Sequence, residues 1–272
     1  MAGGQSQPAK IPSVVNRSNL CWLALALIMA AYLLFWFLLL GATATYSTPE
    51  SWLKVLRSRE ILHATWLSLM TCSIAAGFAL LLAVPVGYLM SRREFKGKSW
   101  LDAALDIPII LPPLVVGLCL LIFFQTRIGK GIEAVIPFTY QVSGVVLAQF
   151  VVAAAFAIRT MRGTFDHLSA RPEDVALTLG CTRFQALWHV ALPAARRGMV
   201  AAFCVSWARS LGEFGPILVF AGATRMKTEV LPTTVWLELS VGNLDAAVAV
   251  SLFMVLMAVL VLVVVRATGE KI

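Results

Sequence analysis

The sequence predicts an all-α integral membrane protein, with six transmembrane helices and a helical loop on the cytoplasmic face. Three observations carry that prediction. The chain of 272 residues is 60% hydrophobic and 13% charged, against about 45–50% and about 25% in soluble domains. Its apolar residues gather in six runs: Leu20–Gly41, Ile61–Met90, Ile107–Gln125, Val142–Ile158, Met199–Ala221 and Ala246–Val265. Of 22 Lys+Arg and 14 Asp+Glu, only Arg209 and Glu213 fall inside those runs. The composition excludes disorder, collagen-like repeats and a disulfide-stapled secreted domain.

A helix needs about 20 apolar residues to cross about 30 Å of hydrocarbon. Val142–Ile158 is the shortest candidate, and Ile61–Met90 is long enough to tilt. Barrel strands alternate polar and apolar residues, whereas these runs are continuously apolar. The first run follows Lys10 and Arg17 and ends near Ala42-Thr43-Ala44, the outline of a signal peptide. Leu20–Gly41 exceeds the about 7–15 residues of a signal core, so it reads as a retained span. Residues 1–19 are then a tail, and 20–272 a single transmembrane domain.

Lys and Arg accumulate on the cytoplasmic side of membrane proteins. The tail, the loop 91–106, the loop 159–198 and the C-terminus hold 14 of them, against 7 on the other side. Both termini are therefore expected in the cytoplasm. The net charge of +8 follows from this topology, and no separate domain is present to bind nucleic acid. Cys21, Cys72, Cys119, Cys181 and Cys204 form no C-x-x-C pair, and three scattered His show no ligand spacing, so no metal is expected. Gly97-Lys98-Ser99 lacks the earlier glycine of a P-loop, and Gly129-x-Gly131-x-x-Ala134 has no βαβ context. Both read as turn glycines. The spans hold no cluster of catalytic side chains, so no enzymatic role is expected.

The loop 160–198 carries helix signals. Pro172, Glu173 and Asp174 suit a first turn, Val175, Ala176 and Leu179 an apolar face, and Gly180 the end. Thr182-x-x-Gln185 is a capping box for a second short helix with Phe184, Leu187 and Trp188 on one side. Pattern alone leaves two readings: a loop packed on its own bundle or at the lipid surface, or a helix offered to a partner's groove.

Arg209 and Glu213 stand at i, i+4 and can pair on one helix face. Arg209 lies ten residues after Met199, about 15 Å along a helix, near mid-membrane. A charge there costs roughly 2.5–3.5 kcal/mol on insertion scales and faces the bundle interior or a water path. Pro216 cannot donate to the carbonyl of Gly212, so the helix breaks there. Polar groups at a broken midplane helix recur in transporters. A pair that only fixes packing satisfies the same pattern.

Asp174-Val175-Ala176-Leu177-Thr178-Leu179-Gly180, with Leu192-Pro193 beyond it, resembles the E-A-A-x-x-x-G…L-P signature of bacterial ABC-importer permeases. Asp174 stands where that signature has Glu, and Val175 where it has Ala. Thr65-Trp66-Leu67 and Pro85-Val86-Gly87-Tyr88-Leu89 resemble the family's permease core. Pro108–Gly117, with Pro112 and Pro113, and Ala208-Arg209-Ser210-Leu211-Gly212-Glu213-Phe214-Gly215 are similar to strings of molybdate, tungstate and sulfate permeases.

The resemblance implies a type I ABC importer permease fold. It also implies a coupling helix at Asp174, Val175, Ala176, Gly180, Thr182 and Phe184 that docks on an ATPase. Arg209, Ser210, Gly212, Glu213, Gly215, Pro112 and Pro113 are the implied pathway residues. The implied partners are two ABC ATPase subunits, an extracytoplasmic substrate-binding protein, a second permease copy as a homodimer, and the lipid bilayer. ATP and Mg would sit on the ATPase, with no cofactor in this chain. Rival expectations are a permease for ferric iron or thiamine, and a stand-alone channel or carrier.

Overall fold

The computed structural model describes residues 14–46, 52 and 57–267. The start of the expected N-terminal tail, and Lys271, lie outside them. Eleven α-helices are described, with no strand among the described residues. In chain order they are α1 (Val14–Tyr46), α2 (Arg59–Arg92), α3 (Lys98–Ile110), α4 (Pro113–Gln125), α5 (Arg127–Glu133), α6 (Val142–His167), α7 (Arg171–Thr178), α8 (Arg183–Ala186), α9 (Leu192–Leu211), α10 (Leu231–Ser240) and α11 (Leu244–Ala267). α1 forms one compact unit by itself, and the other helices form a second.

The six-span expectation is met only in part. Four helices are long and apolar enough to cross a membrane: Cys21–Tyr46 of α1, α2, α6 and Leu244–Val261 of α11. α3 and α4 together make a fifth, bent by 106°. The expected third span, 107–125, is thus no single helix. Pro112 and Pro113 supply no N–H, so the last bond of α3 is Leu111 N to Ile107 O, and α4 restarts beyond Pro112.

The expected fifth span, 199–221, is also interrupted. α9 stops at Leu211, and the chain returns to one π-helical turn at Ile217–Ala221. The expected loop 160–198 shrinks to 168–191. At its start α6 continues to His167, and its charged last turns pair with α3: Arg159 with Asp106 at 3.2 Å, and Arg162 with Asp102. At its end, α8 passes through a π-turn at Leu187–Ala191 into α9 without a break. That π-turn, with Leu192 N bonding to Leu187 O, lies just ahead of Pro193, which lacks a donor.

α2 and α6 form the centre. They run parallel, because Leu67 packs with Val145 and Ala148 at one end, while Ala79 and Ala83 pack with Ala157 and Met161 toward the other. Small residues make up much of the seam: Ala79 and Ala83 on α2 cluster with Ala153, Ala154 and Ala157 on α6, and Gly87 lies against the backbone of Met161 and Arg162. In lipid, solvent drives no burial between helices, and close backbone contact takes its place. α9 lies antiparallel in the remaining groove, with Ala195 beside Phe165 and Leu211 beside Cys72. At the far end from α7, the Glu133 carboxylate accepts Thr139 N at 2.8 Å. Thr139, through its side chain and then its backbone N–H, holds that carboxyl below the usual carboxylate range.

Candidate functional site: a clamped helix and two facing helix breaks

Two regions gather the residues singled out in the sequence. The first is the turn of α7 and α8. Gly180 ends α7 at φ +91°, a left-handed conformation that other residues strain to adopt. Its N–H bonds to Leu177 O and that of Cys181 to Ala176 O, which closes the helix end. Thr182 then starts α8 with both capping-box bonds, Gln185 N to Thr182 Oγ1 at 3.3 Å and Thr182 N to Gln185 Oε1 at 2.8 Å.

Ala176 turns inward, whereas Asp174, Val175 and Leu179 face out. Phe184 and Trp188 stack at 6.2 Å, and both are exposed. Leu187, expected beside them, packs into the bundle instead. The result is an outward apolar patch of Val175, Leu179, Phe184 and Trp188 edged by a free carboxylate.

What fixes this patch is a clamp absent from the sequence reading. Arg92, at the end of α2, reaches Glu173 Oε1 with Nε at 3.0 Å and Nη2 at 2.9 Å. Its other contacts are Phe165 O at 2.8 Å and Leu168 O at 3.0 Å, where α6 ends. Tyr88 Oη donates to Glu173 Oε2 at 2.8 Å, and its ring meets Phe165 edge-on. One guanidinium therefore ties α2, α6 and α7. The sequence signal was Tyr88 and Arg92 at i, i+4 on a span end, with Glu173 in a helix first turn.

The second region is mid-bundle. Arg209 Nη1 lies 2.6 Å from Glu213 Oε2, and its guanidinium sits 5.6 Å from the Phe156 ring centre. The Glu213 side chain is 2% exposed and that of Arg209 30%, so the cation is the open member of the pair. Gly212 caps the stopped helix, and Ser210 is buried.

The two breaks face one another. A Cβ on Gly215 would stand 3.0 Å from Leu114 N and 3.2 Å from Pro113 Cβ, and one on Gly117 would stand 2.8 Å from Pro216 Cα. The structure thus brings Pro113 to Gly215, while Pro112 carries the bend itself. The buried Gln149 of α6, not singled out by sequence, contacts the end of α9 at Ser210 O. The decoy strings sit in ordinary helical context: Gly97 precedes α3, and Gly129 and Gly131 lie in α5.

A family model for binding-protein-dependent transport system inner membrane components matches residues 83–270. The chain belongs to this family of ABC-importer permeases. A probable molybdenum ABC transporter permease of Haloferax volcanii is similar to this permease, at 33% identity over 251 residues. That match covers 92% of this permease and 91% of the relative. The sulfate transport system permease CysT of Escherichia coli is 30% identical, over 76% of each chain. In fold, the permease matches a chain of a bacterial alginate ABC transporter, solved with its alginate-bound periplasmic protein. There the TM-score is 0.75 at 14% identity, over 94% of this permease and 96% of that chain. The permease is thus an inner-membrane component with several apolar helices.

Proposed function

We propose that this permease carries an oxyanion, molybdate first and tungstate or sulfate as close alternatives, delivered by an external binding protein and driven by ATP. The observation that carries the reading is Arg209. It is the one cation within the apolar runs of the sequence, and it stands part-open at a helix break. Relatives named for molybdenum and sulfate transport support the substrate class.

Glu213 lowers the positive potential of Arg209 without removing it, and a conducting site must hold an anion weakly enough to release it. Backbone N–H groups of Phe214 and Gly215, just past the break, add directed donors. ATP and Mg belong to two ATPase subunits, one docking on each permease copy at Asp174, Val175, Gly180, Thr182 and Phe184, with Ala176 packed beneath that surface. A second copy of the permease completes the pathway, and both termini face the cytoplasm.

Reconstitution with the ATPase and binding protein tests the reading. Binding protein loaded with molybdate, tungstate or sulfate should stimulate ATP hydrolysis and uptake, and phosphate-loaded protein should not. Stimulation by none of the three refutes it. Two substitutions probe the parts. Arg209→Gln should lower uptake at least tenfold while the complex still assembles, and wild-type uptake would remove Arg209 from the pathway. Phe184→Ala with Trp188→Ala should weaken ATPase binding at least tenfold in a pull-down titration, leaving insertion unchanged. Undiminished ATPase capture would show that the patch is not the dock.

A further inference from the structure

Gln149 lies inside α6, 1% exposed, among apolar residues at membrane depth. Its Nε2 stands 3.3 Å from Ser210 O and 3.4 Å from Cys72 Sγ. Ser210 is the penultimate residue of α9. In an unbroken helix its carbonyl would accept the N–H four residues on. The break leaves it, on its own chain segment, only the shorter-range donors Gly212 N and Glu213 N. Carbonyls at a helix C-terminus carry partial negative charge, and the Gln149 amide supplies a donor from the neighbouring helix.

Stability alone does not account for a glutamine here. Its Oε1 has no hydrogen-bond partner, nor has the nearby Ser210 Oγ, and both atoms are buried. Buried polar atoms left unpaired are destabilising. An apolar residue of similar length would insert into the membrane more easily. Such a residue is retained where it holds a functional arrangement in place.

We propose that Gln149 is a positioning residue for transport, capping the carbonyl end of α9 and so setting Arg209 and Glu213 at the break. This rests on the reading of Arg209 as the pathway cation. Methionine at 149 keeps the length and removes the donor, which frees the end of α9 to shift.

The test uses the complete transporter in proteoliposomes. Gln149→Met should assemble normally, with an unchanged or higher thermal midpoint. Its maximal uptake rate should fall about tenfold, while the half-saturating concentration of loaded binding protein stays the same. Cys72→Ala removes only the second, weaker acceptor and should transport at the wild-type rate. A wild-type rate for Gln149→Met overturns the proposal, as does failure of that variant to assemble. An equal loss in Cys72→Ala also overturns it, because the amide would then serve packing against α2. Arg209→Gln separates the two readings. If it is slow while Gln149→Met is normal, only the positioning role falls. If both are normal, the pathway reading falls as well.

Discussion

Arg92→Met is expected to abolish coupling between ATP hydrolysis and uptake. The guanidinium holds Glu173 and two carbonyls at the end of α6, and the paired side chains are only 14% and 9% exposed. Removing the cation strands a buried carboxylate, which costs roughly 3–5 kcal/mol where measured. Glu173 then keeps only the bond from Tyr88 Oη, and α7 loses its main anchor. Basal ATPase activity should persist without stimulation by loaded binding protein. Adding Glu173→Leu removes the stranded charge and should recover part of the lost stability, because effects at contacting residues are not additive. Full stimulation in Arg92→Met alone would show that the clamp does not transmit force.

Gly117→Val should be nearly as damaging, for a steric reason. The position of its Cβ is 2.8 Å from Pro216 Cα and 3.0 Å from Pro216 O. Both obstacles are backbone, so no side-chain rotation relieves the clash. Overpacking of this kind costs typically 1–3 kcal/mol or more, and here it would wedge the two breaks apart. Uptake should be lost with the assembled complex reduced. Gly77→Ala, where nothing lies within 4 Å of the new atom, should be neutral in the same assay. Normal uptake by Gly117→Val would mean that the two breaks separate freely during transport.

The parts legible in the sequence are those written in local chemistry. The missing N–H of Pro216 placed a break that the structure contains, whereas the same signal at Pro112 and Pro113 was read through as one span. Thr182 and Gln185 announced their capping box, and Gly180 its helix end. What was illegible depends on neighbours. Apolar periodicity separates core from water, but in a membrane both core and lipid are apolar, so the central role of α6 was invisible in its short run 142–158. Its continuation to His167 meets Asp102 and Asp106 on α3, a pairing across more than 50 residues that the local sequence does not display. Glu173 read only as a first-turn acid, because its partner lies 81 residues earlier in the chain. Gln149 carried no signal beyond being polar within a span.

The unbroken helical passage from Arg183 to Leu211 has a mechanical consequence. A helix resists compression along its axis far more than loops do, because each turn is stacked on hydrogen bonds to the next. At about 1.5 Å per residue the passage is roughly 40 Å long, with Phe184 near one tip and Arg209 near the other. The π-turn at Leu187–Ala191, just ahead of Pro193, is where the hydrogen-bond ladder changes along the passage, so part of an axial push at the first aromatic ring would be taken up there as bending. What remained of the stroke would be spent at Gly212, where the helix ends.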